Sequence, residues 1–203
     1  MLLLFFWHSA LLWPLKIVVV LFHELGHAIA AWLTGGEVLY IQVNARQGGL
    51  AVTRGGSRLL ILNAGYLGSL LAGVALLLSA RSKRGARAMT LLLAVGLLLL
   101  AVLFVRPLAS FGFVFTLLTA GAFAVLARWA SSEITRWSLR GLGIFSVLYA
   151  LFDIADDVFY AGPDVVSDAT MLAELTLIPA WVWGGGWILA GLLVLWLLRH
   201  RLA

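Results

Sequence analysis

Three ionisable residues, His23, Glu24 and His27, stand inside the apolar run LFHELGHAIAAWL at residues 21–33. In hydrocarbon an ionisable side chain costs about 2.5–3.5 kcal/mol on insertion scales unless it meets a partner. Three such groups in one run call for something that engages them together. On a helix, residues four apart are rotated by about 400°, so two imidazoles at that spacing differ by about 40° and lie about 6 Å apart on one face. That suits two adjacent corners of a tetrahedral zinc ion. Glu24 projects beside them, where a carboxylate can serve as general base toward water that a metal has made acidic. The spacing HE-x-x-H thus offers two metal ligands, His23 and His27, and a catalytic base, Glu24.

A catalytic zinc takes a third protein ligand and keeps one position open. The other histidines, His8 and His200, are too remote from the motif, so the third ligand is expected to be a carboxylate. Two segments supply candidates. In FDIADDVF, the residues Asp153, Asp156 and Asp157 follow i, i+3, i+4 and share a helix face, where like charges repel unless a cation, a proton or a basic partner intervenes. In PDVVSDATMLAELT, Ser167 is placed to cap a helix that Asp168 begins. Asp168 is a ligand candidate there, or simply a favourable charge at a helix N-terminus.

The elements that must carry these groups are membrane helices. The 203 residues are 63% hydrophobic and 11% charged, against about half and a quarter in soluble domains. With no cysteine there are no disulfides and no thiolate metal sites. The net charge of +5 falls in short gaps between apolar runs, which argues for membrane topology and against nucleic acid as a partner. A span needs about 20 apolar residues, and six candidates are predicted at about 10–34, 59–80, 88–105, 108–128, 139–161 and 170–198. MLLLFFWHSALLW lacks the positive leader of a signal peptide and is expected to start a retained helix. Pro14 and Pro179 are expected to bend the first and last spans, and Gly184-Gly185-Gly186 to interrupt the last. The fold class expected is therefore an all-α polytopic membrane protein of about six transmembrane helices, in one domain over residues 1–203.

The gap at 35–58 departs from this pattern. Alternation at Val38, Tyr40, Gln42 and Asn44, a turn at Gly48-Gly49 and the following LAVT predict a short β-hairpin at the membrane surface. In NAGYLGSLLAG, the rows Ala64, Gly68, Ala72 and Gly65, Ser69, Gly73 are suited to close helix contact, expected to be with the histidine helix. Asn63 is a candidate substrate-binding amide, or a buried structural one. Trp32, Trp129 and Trp137 fall near span ends, as interfacial anchors do. The basic residues, Lys16 and the Arg81–Arg87 cluster among them, concentrate on one side, placing both termini in the cytoplasm and the histidines with the acidic segment toward the opposite face.

FHELGHAIAAWLTGGEV, the hairpin after it, NAGYLGSLLAG and SDATMLAELTLIPAWVW occur in an order that resembles the M50 metallopeptidases, the site-2-protease class, most closely the M50B-like branch. The resemblance covers about half the chain. It implies an intramembrane zinc metalloprotease of a bacterial inner (cell) membrane, with Zn2+ as cofactor and membrane lipid and membrane-protein or peptide substrates as partners. It implies His23 and His27 as ligands and Glu24 as general base. Site-2 proteases draw a third ligand from an Asp-Gly pair, which this chain lacks; Ser167-Asp168-Ala169 is the nearest equivalent, making Asp168 the preferred ligand and Asp157 the second choice. It also implies a motif near the cytoplasmic face, opposite to the charge count. A catalytically inactive M50-like structural subunit of a membrane assembly is the alternative reading. A small-ion transporter is the third, and the chain shows no internal repeat of HELGH or of the acidic segment to support it.

Overall fold

The structure, a computed structural model, describes residues 9–160 and 166–202. His8, Pro163, Asp164 and the His200 side chain lie outside that description, as does most of the predicted N-terminal helix start.

The chain folds as helix α1 (Trp13–Leu33), a hairpin of β1 (Glu37–Val43) and β2 (Gly49–Arg54), then α2 (Arg58–Ser79), α3 (Lys83–Phe104), α4 (Phe111–Trp129), α5 (Ser132–Ala155) with a π-helical turn (Asp156–Tyr160), α6 (Asp168–Thr176) and α7 (Ala180–Leu202). Five of these, α1, α2, α3, α4 and α7, are long and apolar enough to cross a bilayer. This is an integral membrane protein. Local sequence sets the helix starts: Ser57, Ser82, Ser110, Ser131 and Ser167 each cap a helix by accepting from the backbone N–H three residues on, which satisfies a donor that would otherwise lack a partner. At α6 the Thr170 side chain reciprocates to Ser167, completing a capping box.

Several boundaries depart from the sequence expectation. Pro14 bends nothing; it sits in the first turn of α1, where no backbone donor is needed. The span expected at 170–198 is two helices, because Leu177 takes a left-handed conformation (φ 61°) and Pro179 blocks continuation. Gly184–Gly186 interrupts nothing: α7 runs through it. The helix expected from 139 begins at Ser132 and carries Glu133, Arg136, Arg140 and Asp153, more Asp, Glu, Lys and Arg than any of the five spans. Lys16 is buried inside the bundle, with Asp153 and Asp156 as charge partners, so it does not belong with the loop cations that set topology.

The hairpin forms where the alternation predicts it, with one change of phase. Pairing runs from Glu37↔Arg54 to Val43↔Gly49, and a bulge between Val38 and Tyr40 inserts Leu39. Buried positions are therefore Val38, then Ile41 and Val43, since an extra residue turns the following side chains to the other face. β1 is fixed on its outer side by a parallel bridge from Ile41 to Val105 and by the Arg106 N–H donating to the Ile41 carbonyl (3.0 Å).

α1 is the most enclosed span and packs most extensively on α2. Gly26 allows this: a Cβ there would run into the Ala64 carbonyl, and one on Gly68 would come within 3.0 Å of the Gly26 Cα. The row expected to face the histidine helix thus does so through Ala64 and Gly68. The second row divides: Gly65 faces the site, whereas Gly73 packs on Gly143, Ser146 and Val147 of α5.

Candidate metal centre

His23 and His27 project from the middle of α1 toward the N-terminus of α6, where Asp168 is the first helical residue. Asp168 Oδ2 lies 3.1 Å from His23 Nε2 and 3.3 Å from His27 Nε2. One ligand atom from each of the three residues falls within a mutual 4.8 Å. The three groups are largely shut off, with side-chain exposures of 18%, 9% and 7% for His23, His27 and Asp168.

The protonation pattern bears on what these atoms can hold. His27 Nδ1 lies 2.7 Å from the Ile61 carbonyl oxygen; a carbonyl only accepts, so Nδ1 carries the proton. In the neutral ring Nε2 is then a lone pair, facing a carboxylate oxygen. Asp168 Oδ2 is buried and makes no hydrogen bond of good geometry, although both imidazole nitrogens are within ion-pair distance. Acceptors converging at this range repel unless a proton or a metal ion joins them. Two imidazoles and a carboxylate, one imidazole oriented by a backbone carbonyl, is the donor set of a divalent metal such as zinc.

Glycines make room for the cluster. A Cβ on Gly65 would come within 2.6 Å of His23 Cε1 and 2.7 Å of Asp168 Oδ2. A Cβ on Gly49 would come within 2.7 Å of Glu24 Cδ, so the start of β2 rests on the Glu24 carboxylate. Glu24 is 4% exposed. It shares a cavity of about 910 Å³ with His23, His27 and Asp168; β2 contributes Gly49, Leu50, Ala51 and Thr53 to the rim.

The remaining candidates are distributed around this centre. Asp153 and Asp157 line the same cavity, but Asp157 accepts a hydrogen bond from the Tyr66 hydroxyl and is outside the His23–His27–Asp168 group. Asp156 is exposed and does not line the cavity. Asn63 does not line it either: its Nδ2 donates to the Leu59 carbonyl (2.8 Å) and its Oδ1 accepts from Trp187 Nε1 (2.9 Å). Sequence reasoning passed over Tyr66, and took Gly65 only as a helix-packing position and Gly49 only as a turn residue. The readable signal was Tyr66 itself, since a hydroxyl amid an apolar helix needs a partner.

Fold and site together define a helical integral membrane protein with two histidines and an aspartate gathered at its core. The family model described as Peptidase M50B-like matches residues 1–198, nearly the whole chain; the chain belongs to that family and has its membrane metallopeptidase-like fold. Nothing among curated proteins or solved structures matches it.

Proposed function

We propose that this chain is an intramembrane zinc metallopeptidase that hydrolyses peptide bonds of membrane-associated substrates, working as one domain in a bacterial inner membrane. The observation that carries the reading is Asp168 Oδ2, buried without a hydrogen bond and faced by two imidazole nitrogens, one of them left a lone pair by the Ile61 carbonyl. His23, His27 and Asp168 would hold the metal. When bound, zinc supplies Lewis acidity, which makes a water acidic and polarises a carbonyl oxygen.

The chain's own residues do the rest. Glu24, enclosed in the same cavity, takes a proton from the attacking water and delivers it to the leaving amide nitrogen. A helical substrate offers no free carbonyl, so it must unwind, and an unwound strand needs backbone partners. β2 supports that role. The Asn44 N–H donates to the Gly48 carbonyl (2.9 Å), which sets the ladder phase so that Gly49, Ala51 and Thr53 turn their backbone groups away from β1. Among the described residues no backbone–backbone hydrogen bond reaches that outer edge, where the Ala51 N–H faces the Glu24 carboxylate, and those three residues line the cavity. An extended segment added there would lie beside Glu24.

The test is a Glu24→Gln variant of the full chain, purified in detergent and given a membrane-anchored peptide. Turnover should fall at least about a hundredfold, the usual scale for a lost acid–base group, while zinc content stays at the wild-type level. Unchanged turnover would remove Glu24 from the mechanism. A wild-type protein that holds zinc yet cleaves no such peptide would favour an M50-like structural subunit.

A further inference from the structure

We propose that Tyr66 is a positioning residue that holds Asp157 off the metal and so keeps the ligand set at three. The inference rests on the metal site proposed above. Two histidines and one carboxylate leave a fourth position open, whereas two histidines and two carboxylates would close a tetrahedral site. Asp168 and Asp157 line the cavity that holds the imidazoles, together with Glu24 and Asp153, so something must keep Asp168 and Asp157 in different roles. Asp168 faces the imidazoles without a hydrogen bond; Asp157 Oδ2 is engaged by the Tyr66 hydroxyl.

Tyr66 is built to stay where it is. It is 2% exposed. Its ring meets His23 edge to face, with centroids 4.8 Å apart, and leans on Trp187 at 4.7 Å. Trp187 is in turn held by Asn63, whose amide is tied to the Leu59 carbonyl. The candidate substrate-binding residue of the sequence thus supports, through Trp187, the ring that restrains Asp157. Gly65 and Tyr66 divide the work along one turn of α2: Gly65 leaves space for His23 and Asp168, and the next side chain retains the competing carboxylate. Losing the hydroxyl alone frees Asp157 to follow the attraction of the dication.

The experiment uses the full chain in detergent, loaded with Co2+ as a visible-spectrum probe and titrated with azide as an external ligand. The wild type, with an open position, should show an azide-dependent spectral change. Tyr66→Phe keeps both ring contacts; it should lose that change and retain Co2+ against a chelator about tenfold more tightly, within the range that metal-site supporting groups exert. Tyr66→Phe/Asp157→Asn should recover the azide response, and Asp157→Asn alone should bind Co2+ as the wild type does. Tyr66→Phe with an unaltered azide response and unaltered Co2+ retention overturns the inference and leaves the metal site standing. A wild type that binds Co2+ without need of His23, His27 and Asp168 overturns both.

Discussion

The α1–α2 pair and the α3–α4 pair are built from similarly apolar helices and do opposite things. In the most apolar windows of α1 and α2, 72% and 44% of residues are buried, against 28% in each of α3 and α4. The first pair meets through Gly26, Ala64 and Gly68, backbone against backbone, and carries His23, Glu24, His27 and Tyr66. In the second, Gly96 and Gly121 have nothing within 4 Å of where a Cβ would stand, and Thr90, Thr116 and Thr119 return their hydroxyls to their own helix. The difference teaches that in lipid, hydrophobicity does not tell a site helix from a scaffold helix; close backbone approach and polar groups aimed inward do. The scaffold pair still serves the site at one point, since Val105 and Arg106, at the end of α3, fix the strand that carries β2.

The comparison breaks most visibly at the ligands. Asp168→Asn should strip zinc from purified protein and abolish peptide cleavage, whereas Asp157→Asn should leave zinc content unchanged; elemental analysis of the two in parallel decides, and equal loss from both would merge their roles. Next comes the helix contact. Gly26→Ala drives a methyl into the Ala64 carbonyl and should destabilise the fold by about 1–3 kcal/mol, the usual range for overpacking, with zinc released at lower temperature in a thermal melt. A smaller effect is expected at the hairpin. Thr53→Pro removes an outward N–H without touching the β1–β2 ladder or the Ala51 N–H that faces Glu24; losing one backbone bond, worth about 1 kcal/mol, should lower kcat/KM several-fold while zinc stays bound. An unaltered rate would detach β2 from substrate handling. The least effect belongs to the scaffold: Gly96→Ala and Gly121→Ala should be neutral or stabilise by up to about 1 kcal/mol through helix propensity, and a marked loss at either would show that this pair is not passive.

Much of this was readable from the chain, and the limit is physical. His23, Glu24 and His27 lie within two turns of one helix, so 3.6-residue geometry alone puts both imidazoles on one face. The alternating segments predict the hairpin, although its turn is Ala45–Gln47, with Gln47 left-handed (φ 67°), and not Gly48-Gly49, since Gly49 already pairs with Val43; Ser167 before Asp168 announces a helix start, because capping chemistry is local. Local rules also misled where a residue's effect depends on its position in an element: Pro14 reads as a kink but sits where a helix begins, and the Gly184–Gly186 run is carried through by α7.

Tertiary structure alone decided which acid joins the histidines. Asp157 and Asp168 are the same residue type, eleven positions apart and more than a hundred from His27; nothing in their neighbours' spacing sets their distance to α1. That distance comes from how α6 docks its N-terminus on α1 and from the Tyr66 hydroxyl, offered by a third helix, that claims Asp157. A sequence determines the chemistry available on each helix, because periodicity is a property of one element; the partnership between elements depends on packing, which sums contacts over the whole chain.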